Sequence, residues 1–144
     1  MKRTLAAMVI AALALALPAG VLAANGHAAN RTAMLHVTSQ LKSKTAFMHV
    51  MATAKLHYTK GDVSIKLTAD GLPRPAALGK KFYILFATDG AMADRVGVLH
   101  ISGHMAGASG MVMMNRVQDL NVYATNTMTA KHPQGTLVLS GMVG

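Results

Sequence analysis

The fold is decided by residues 47–68, which read FMHVMATAKLHYTKGDVSIKLT. Apolar and polar residues alternate here with a period of two, which is typical of strands with one buried face. The apolar face of the first segment, Phe47 to Tyr58, consists of Met48, Val50, Ala52, Ala54, Leu56 and Tyr58. Gly61-Asp62 marks a turn, after which Val63, Ile65 and Leu67 alternate with polar residues. We therefore predict a β-hairpin.

Similar signals predict strands beyond this hairpin. Two prolines open a loop after Asp70-Gly71, and the loop closes at Gly79-Lys80-Lys81. The segment Phe82–Ala87 is apolar on both faces, which predicts a central strand covered on both sides and ended by a turn at Asp89-Gly90. The other predicted strands are Thr32–Thr38, Val96–Ile101, Met111–Asn115, Leu120–Thr127 and Thr136–Val143. We expect an all-β fold, an antiparallel, immunoglobulin-like β-sandwich of about seven to eight strands.

The first residues have the composition of a secretory signal peptide. Lys2 and Arg3 precede the apolar stretch Leu5–Leu17. Small or slender residues before the junction favour cleavage after Ala23, with Ala24 as the alternative position. The apolar stretch is shorter than the ~20 residues of a membrane-spanning helix, although an uncleaved N-terminal anchor remains open.

A chain of 144 residues has room for one domain of ordinary size. We predict a signal peptide over residues 1–23 and a single β-sandwich domain over residues 24–144, with no transmembrane segment after cleavage. The location would be periplasmic or extracellular. The sequence contains no Cys, so disulfides and thiolate sites are excluded.

The charge is strongly positive. The chain has 14 Lys and Arg against 5 acidic residues, all of them Asp, and removing Lys2 and Arg3 would leave a net charge of +7. Such a charge favours anionic surfaces. The cations stand singly apart from Lys80-Lys81, without the interleaved aromatic residues of a nucleic-acid groove. We expect a protein or an anionic cell-envelope partner, and no nucleic acid.

Residues for catalysis are scarce. The chain has no Gly-x-Ser-x-Gly motif and no Cys nucleophile. Asp62, Asp70 and Asp89 each adjoin a glycine in a predicted turn, where a short carboxylate hydrogen-bonds to the backbone. We therefore predict a protein that is not an enzyme, with no catalytic residues and no cofactor.

Methionine and histidine suggest a second hypothesis, because thioether and imidazole ligands suit copper. Residues two apart share a strand face, so Met34 pairs with His36, and His49 pairs with Met51. If these strands are antiparallel neighbours, four soft ligands meet on one surface. A second cluster lies in and after a Gly-rich loop and contains His104, Met105, Met111, Met113 and Met114. Methionine also fills gaps in cores, so the sequence alone assigns no metal ligand.

Several segments carry a family resemblance. They are residues 68–73 (TADGLP), residues 79–86 (GKKFYILF), residues 97–99 (GVL) and residues 133–141 (PQGTLVLSG). Together they make residues 63–141 resemble the extracytoplasmic C-terminal β domain of anti-sigma-K factors, with Phe86 where that family has Trp. The resemblance implies a β-rich fold outside the membrane. Sigma-factor binding is not implied, because the predicted leader is followed directly by the β domain.

These observations predict a secreted or periplasmic, non-catalytic β-sandwich that acts as a binding or accessory module at the bacterial cell envelope. The alternative is a periplasmic copper- or metal-binding protein that uses Met and His.

Overall fold

The computed structural model describes residues 29–144, so the predicted signal peptide and its cleavage site lie outside the described residues. The nine strands are β1 (Ala29–Val37), β2 (Met51–Thr59), β3 (Asp62–Asp70), β4 (Phe82–Thr88), β5 (Ala93–Val98), β6 (His100–Ser102), β7 (Met105–Val112), β8 (Asp119–Thr125) and β9 (Thr136–Met142). A one-turn helix, α1 (Ser39–Lys42), and 3-10 turns at Thr45–Phe47 and Pro75–Leu78 lie in the connections. Within residues 29–144, no helix has the length and apolar character needed to cross a membrane.

All neighbouring strands are antiparallel, in the order β5-β4-β8-β9-β1-β2-β3-β7-β6. Because β5 also contacts β7, the sheet curls into a nearly closed, barrel-like body. The predicted all-β class is confirmed. We call β1, β2, β3, β7 and β6 the front half of the sheet, and β5, β4, β8 and β9 the back half.

The predicted hairpin is formed by β2 and β3, but its first strand is shorter than the alternation suggests. Strand β2 begins at Met51, and the prediction of a strand from Phe47 is wrong. The chain makes a 3-10 turn that places Phe47 in the core at 2% exposure and leaves Met48 at 59% exposure. Met48, which was predicted to lie on the buried face, is therefore on the surface, because the turn interrupts the period-two alternation before β2 begins.

Strand β4 occupies the central position predicted for Phe82–Ala87, between β5 and β8. Tyr83 and Leu85 pack into the main core, whereas Ile84 and Phe86 pack on the opposite face against Ala130. The strand is therefore buried on both faces, as its uninterrupted apolar sequence predicts.

Three predictions near the glycines of residues 97–110 are wrong. The expected strand Val96–Ile101 is two strands, interrupted at Leu99, whose side chain is buried and whose N–H donates to the Tyr83 carbonyl at 2.9 Å. The expected Gly-rich loop is the strand β7, which pairs with β3 along Val63–Asp70, and the strand expected at Met111–Asn115 ends at Val112. Glycine is compatible with β7 because other backbone lies close to it.

The strands predicted at Thr32–Thr38, Leu120–Thr127 and Thr136–Val143 are present as β1, β8 and β9, with ends that differ by at most three residues. The core lies between the two halves of the sheet. It receives Leu56 and Ile65 from the front half and Leu85 and Leu139 from the back half. The outward side chains of the front half are therefore left for interaction with other molecules.

Tyr83 ties the central strand to the loop after β3. Its hydroxyl donates a hydrogen bond of 2.8 Å to the Pro73 carbonyl, and burial raises the pKa of Tyr83 well above its ordinary value. Tyr83→Phe should therefore cost about 1 kcal/mol of stability at neutral pH. Above about pH 10 the unfolded chain releases this proton while the folded chain keeps it, so the wild-type advantage should shrink as pH rises.

Urea unfolding of both proteins at about pH 8 and about pH 11 measures this difference, because titration of all other groups is common to the two chains. A difference in unfolding free energy that stays constant between the two pH values would contradict the buried, protonated phenol.

Candidate functional site

The candidate site is the outward surface of the front half, which we call the front face. Alternation along β1, β2, β3 and β7 sends every second side chain away from the core. The front face includes Thr32, Met34, His36, Met51, Thr53, Lys55, His57, Ser64, Lys66, Thr68, Asp70, Met105, Ser109 and Met111. All of these side chains are exposed except Ser64, which is half-buried.

A row of cations and hydroxyls crosses the centre of the front face. Lys55 and Lys66 are direct cross-strand partners, and the same row continues to Thr32 on β1 and Ser109 on β7. Like charges placed directly opposite each other destabilise a sheet. An anion held between the two ammonium groups would relieve that repulsion, and the flanking hydroxyls supply further hydrogen-bond donors.

The neighbouring row adds an imidazole. His57 Nδ1 lies 2.7 Å from the Asn30 Oδ1, and because an amide oxygen only accepts, the Nδ1–H donates. The second ring nitrogen, Nε2, is then the one left for a ligand. Both rows line a depression of about 710 Å³ on the front face, together with Ser64 and Met111. The depression is long enough to cross all four strands.

Methionine is almost entirely on the surface. Nine of the ten methionines in the described chain have large exposed fractions, and only Met114 is buried, at 6%. The six histidines of residues 29–144 are exposed as well. Filling of core gaps therefore accounts for Met114 alone.

The strands of the first predicted cluster are antiparallel neighbours, as the copper hypothesis requires. Met34, His36 and Met51 share the front face, with Met34 opposite Thr53. His49 lies in the turn before β2, outside the strand register.

The second predicted cluster is divided. Met105 and Met111 lie at opposite ends of β7, about 20 Å apart along the strand, and Met114 is in the core. Met105 of the second cluster lies near Met51 of the first cluster, because Asp70 on β3 is the cross-strand partner of both. Within the part of the chain that the structure describes, no group of three or more His or Asp side chains is placed to hold a metal ion.

Asp89 has the turn geometry that its sequence context predicts. Its Oδ1 accepts hydrogen bonds from the N–H of Met92 at 2.8 Å and of Ala91 at 2.9 Å. These two donors lower the pKa of Asp89. The carboxylate is thus accounted for by the β4–β5 turn.

No protein-family model matches this chain, and comparison with curated proteins and with solved structures finds no match either. The function of the protein is therefore inferred from the residues of the front face.

The pairing of Lys55 with Lys66 was not predicted, although the sequence contains a signal for it. The turn consists of Lys60 and Gly61, with Thr59 opposite Asp62, and this register places the two lysines together. Gly61 has a φ of 84°, which suits the second position of a two-residue hairpin turn. The predicted turn at Gly61-Asp62 lies one residue later, and in that register Lys55 and Lys66 are not opposite each other.

Proposed function

We propose that this protein is an exported, non-catalytic binding module of the bacterial cell envelope, and that its front face holds an anionic envelope polymer. The observation that carries the proposal is the row in which Lys55 and Lys66 face each other between Thr32 and Ser109. Two lysines placed directly opposite each other on an exposed sheet are explained by an anionic ligand.

A polymer fits this surface better than the alternatives. The depression of about 710 Å³ crosses the strands and suits an extended chain that carries repeated phosphate or carboxylate groups. Nucleic acid is disfavoured because the front face bears no Phe, Tyr or Trp side chain on which bases would stack.

We also propose the finer architectural class. The two halves of the sheet act as the layers of a flattened, immunoglobulin-like sandwich, continuous through β1. The mutual packing of side chains from both halves in one core supports this description. The similarity of residues 63–141 to the outer domain of anti-sigma-K factors is retained on the same basis, as a proposal about fold and location outside the membrane.

The polymer proposal is tested by co-sedimentation of the purified protein with isolated bacterial cell walls. Lys55→Gln combined with Lys66→Gln should weaken binding about tenfold at low ionic strength and reduce its salt dependence. The matched control is Lys81→Gln with Lys131→Gln, which removes two exposed charges outside the front face. That control should bind almost as well as the wild type.

Equal losses in the two double variants would show that binding follows net charge alone, and would overturn the front-face site. Anionic phosphatidylglycerol vesicles form the second arm of the experiment. Tighter binding to vesicles than to cell walls would replace the polymer with a lipid surface as the partner.

A further inference from the structure

Two methionines that are distant in sequence flank one carboxylate at the end of the front face. Met51, Asp70 and Met105 occupy adjacent positions on β2, β3 and β7. Neighbouring strands lie ~4.8 Å apart, so the two methionine backbones are about 10 Å apart with Asp70 between them. Two long, unbranched thioether side chains are able to span this gap and meet above Asp70. Met51 is 67% exposed and Met105 is 44% exposed, so neither is held in the core.

The backbones of two histidine residues pack against Gly71, the residue that follows Asp70. The Gly71 N–H donates a hydrogen bond of 2.9 Å to the His104 carbonyl. On its other side, a Cβ at this position would lie only 2.8 Å from the His49 carbonyl oxygen. Gly71 also has a φ of 80°, which glycine adopts without strain. The backbones of His49 and His104 are therefore both packed against the residue that follows Asp70.

Each histidine is close in sequence to one of the two methionines. His104 directly precedes Met105, and His49 lies two residues before Met51. The fold thus brings two methionine residues and one aspartate together on adjacent strands, with the backbones of two histidine residues next to them. The next strand adds Met34 and His36 on the same face.

The ligand types select a soft ion. Thioether and imidazole groups favour Cu(I), whereas Mg²⁺ and Ca²⁺ require mainly oxygen ligands. The described residues contain no group of three or more His or Asp side chains suited to a metal, so a site here depends on methionine sulfur. Asp70 supplies a negative charge that partly offsets the ion in an otherwise cationic domain.

We infer that the end of the front face around Asp70 and Gly71 is a Cu(I)-binding site with Met51 and Met105 as its sulfur ligands. One of the two neighbouring histidines, His49 or His104, supplies an imidazole to the same ion. This site is separate from the lysine row and does not rest on the polymer proposal.

The test is titration of the purified protein with Cu(I) under anaerobic, reducing conditions, in competition with a chromophoric Cu(I) chelator. The wild type should bind one ion at this site. Met51→Leu combined with Met105→Leu removes both sulfur atoms at nearly constant volume from exposed positions, so folding should be unaffected. The double variant should bind Cu(I) about tenfold more weakly or worse.

The matched control is Met113→Leu with Met142→Leu, which removes two other exposed thioethers, at 82% and 74% exposure. It should bind Cu(I) like the wild type. Ag(I), a diamagnetic analogue, should shift the NMR methyl resonances of Met51 and Met105 and leave those of Met113 and Met142 in place.

Three results would overturn the site: no Cu(I) binding by the wild type, equal losses in the two double variants, or Ag(I)-induced shifts spread over all exposed methionines. Lys55→Gln with Lys66→Gln should retain wild-type Cu(I) affinity. Loss of cell-wall binding with retained Cu(I) binding, or the reverse, separates the two proposals.

Discussion

Replacing Gly110 by Ala should destabilise the domain by about 3 kcal/mol or more, because β5 and β7 are in close backbone contact at this residue. A Cβ at Gly110 would collide with the Val96 carbonyl oxygen and lie 3.0 Å from its carbonyl carbon. Both atoms belong to the backbone, so relief requires a shift of a whole strand. That shift would separate the two strands whose contact brings the sheet close to closure.

The matched control is Gly97→Ala on the facing strand, where the added Cβ would lie 3.2 Å from the Ser109 carbonyl oxygen. A displacement of a few tenths of an ångström relieves that contact, so a loss of about 1 kcal/mol is expected. Urea unfolding followed by circular dichroism compares the two variants. If Gly110→Ala were no less stable than Gly97→Ala, the close approach of β5 and β7 would be disproved.

Phe86→Ala should cost about 3–5 kcal/mol in unfolding free energy, the range for truncating a buried aromatic residue. Phe86 is 1% exposed on the face of β4 that points away from the main core. Its ring meets Tyr123 edge to face, with centroids 5.9 Å apart and an interplanar angle of 81°. The other buried members of this small cluster are Ile84 and Ala130, so few side chains are available to refill the cavity.

Phe82→Ala serves as the comparison, because Phe82 begins the same strand and is only half-buried. Its loss should be clearly smaller, as measured by the same unfolding experiment. Similar losses for the two phenylalanines would mean that the segment around Ala130 does not cover the outer face of β4.

The β2–β3 hairpin and the central strand β4 were predicted from local sequence. Alternating apolar residues in β2 and β3 indicate one buried face, and the uninterrupted apolar residues of β4 indicate two. The prediction failed at β7, where Gly107 and Gly110 resemble a loop. A Cβ at Gly107 would lie 3.2 Å from the Leu67 carbonyl oxygen, so glycine there reflects close strand packing. Glycine is favoured both in turns and where two strands pack closely, so local sequence does not show which of the two a glycine indicates.

The two candidate sites also differ in whether local sequence could predict them. The pairing of Lys55 with Lys66 follows from a two-residue turn and was within reach of sequence analysis once the turn was correctly placed. The juxtaposition of Met51 and Met105 was not, because β7 reaches β3 only after the chain has passed through β4, β5 and β6.

The period-two alternation by itself predicted that this domain is all-β and that Lys55 and Lys66 lie outside the core, because a strand sends alternate side chains to opposite faces. That most methionines of the described residues are exposed was shown only by the tertiary structure. Which of those exposed residues become neighbours was decided only by the tertiary structure. Pairing between distant strands depends on how the whole sheet closes, and no local pattern encodes that closure.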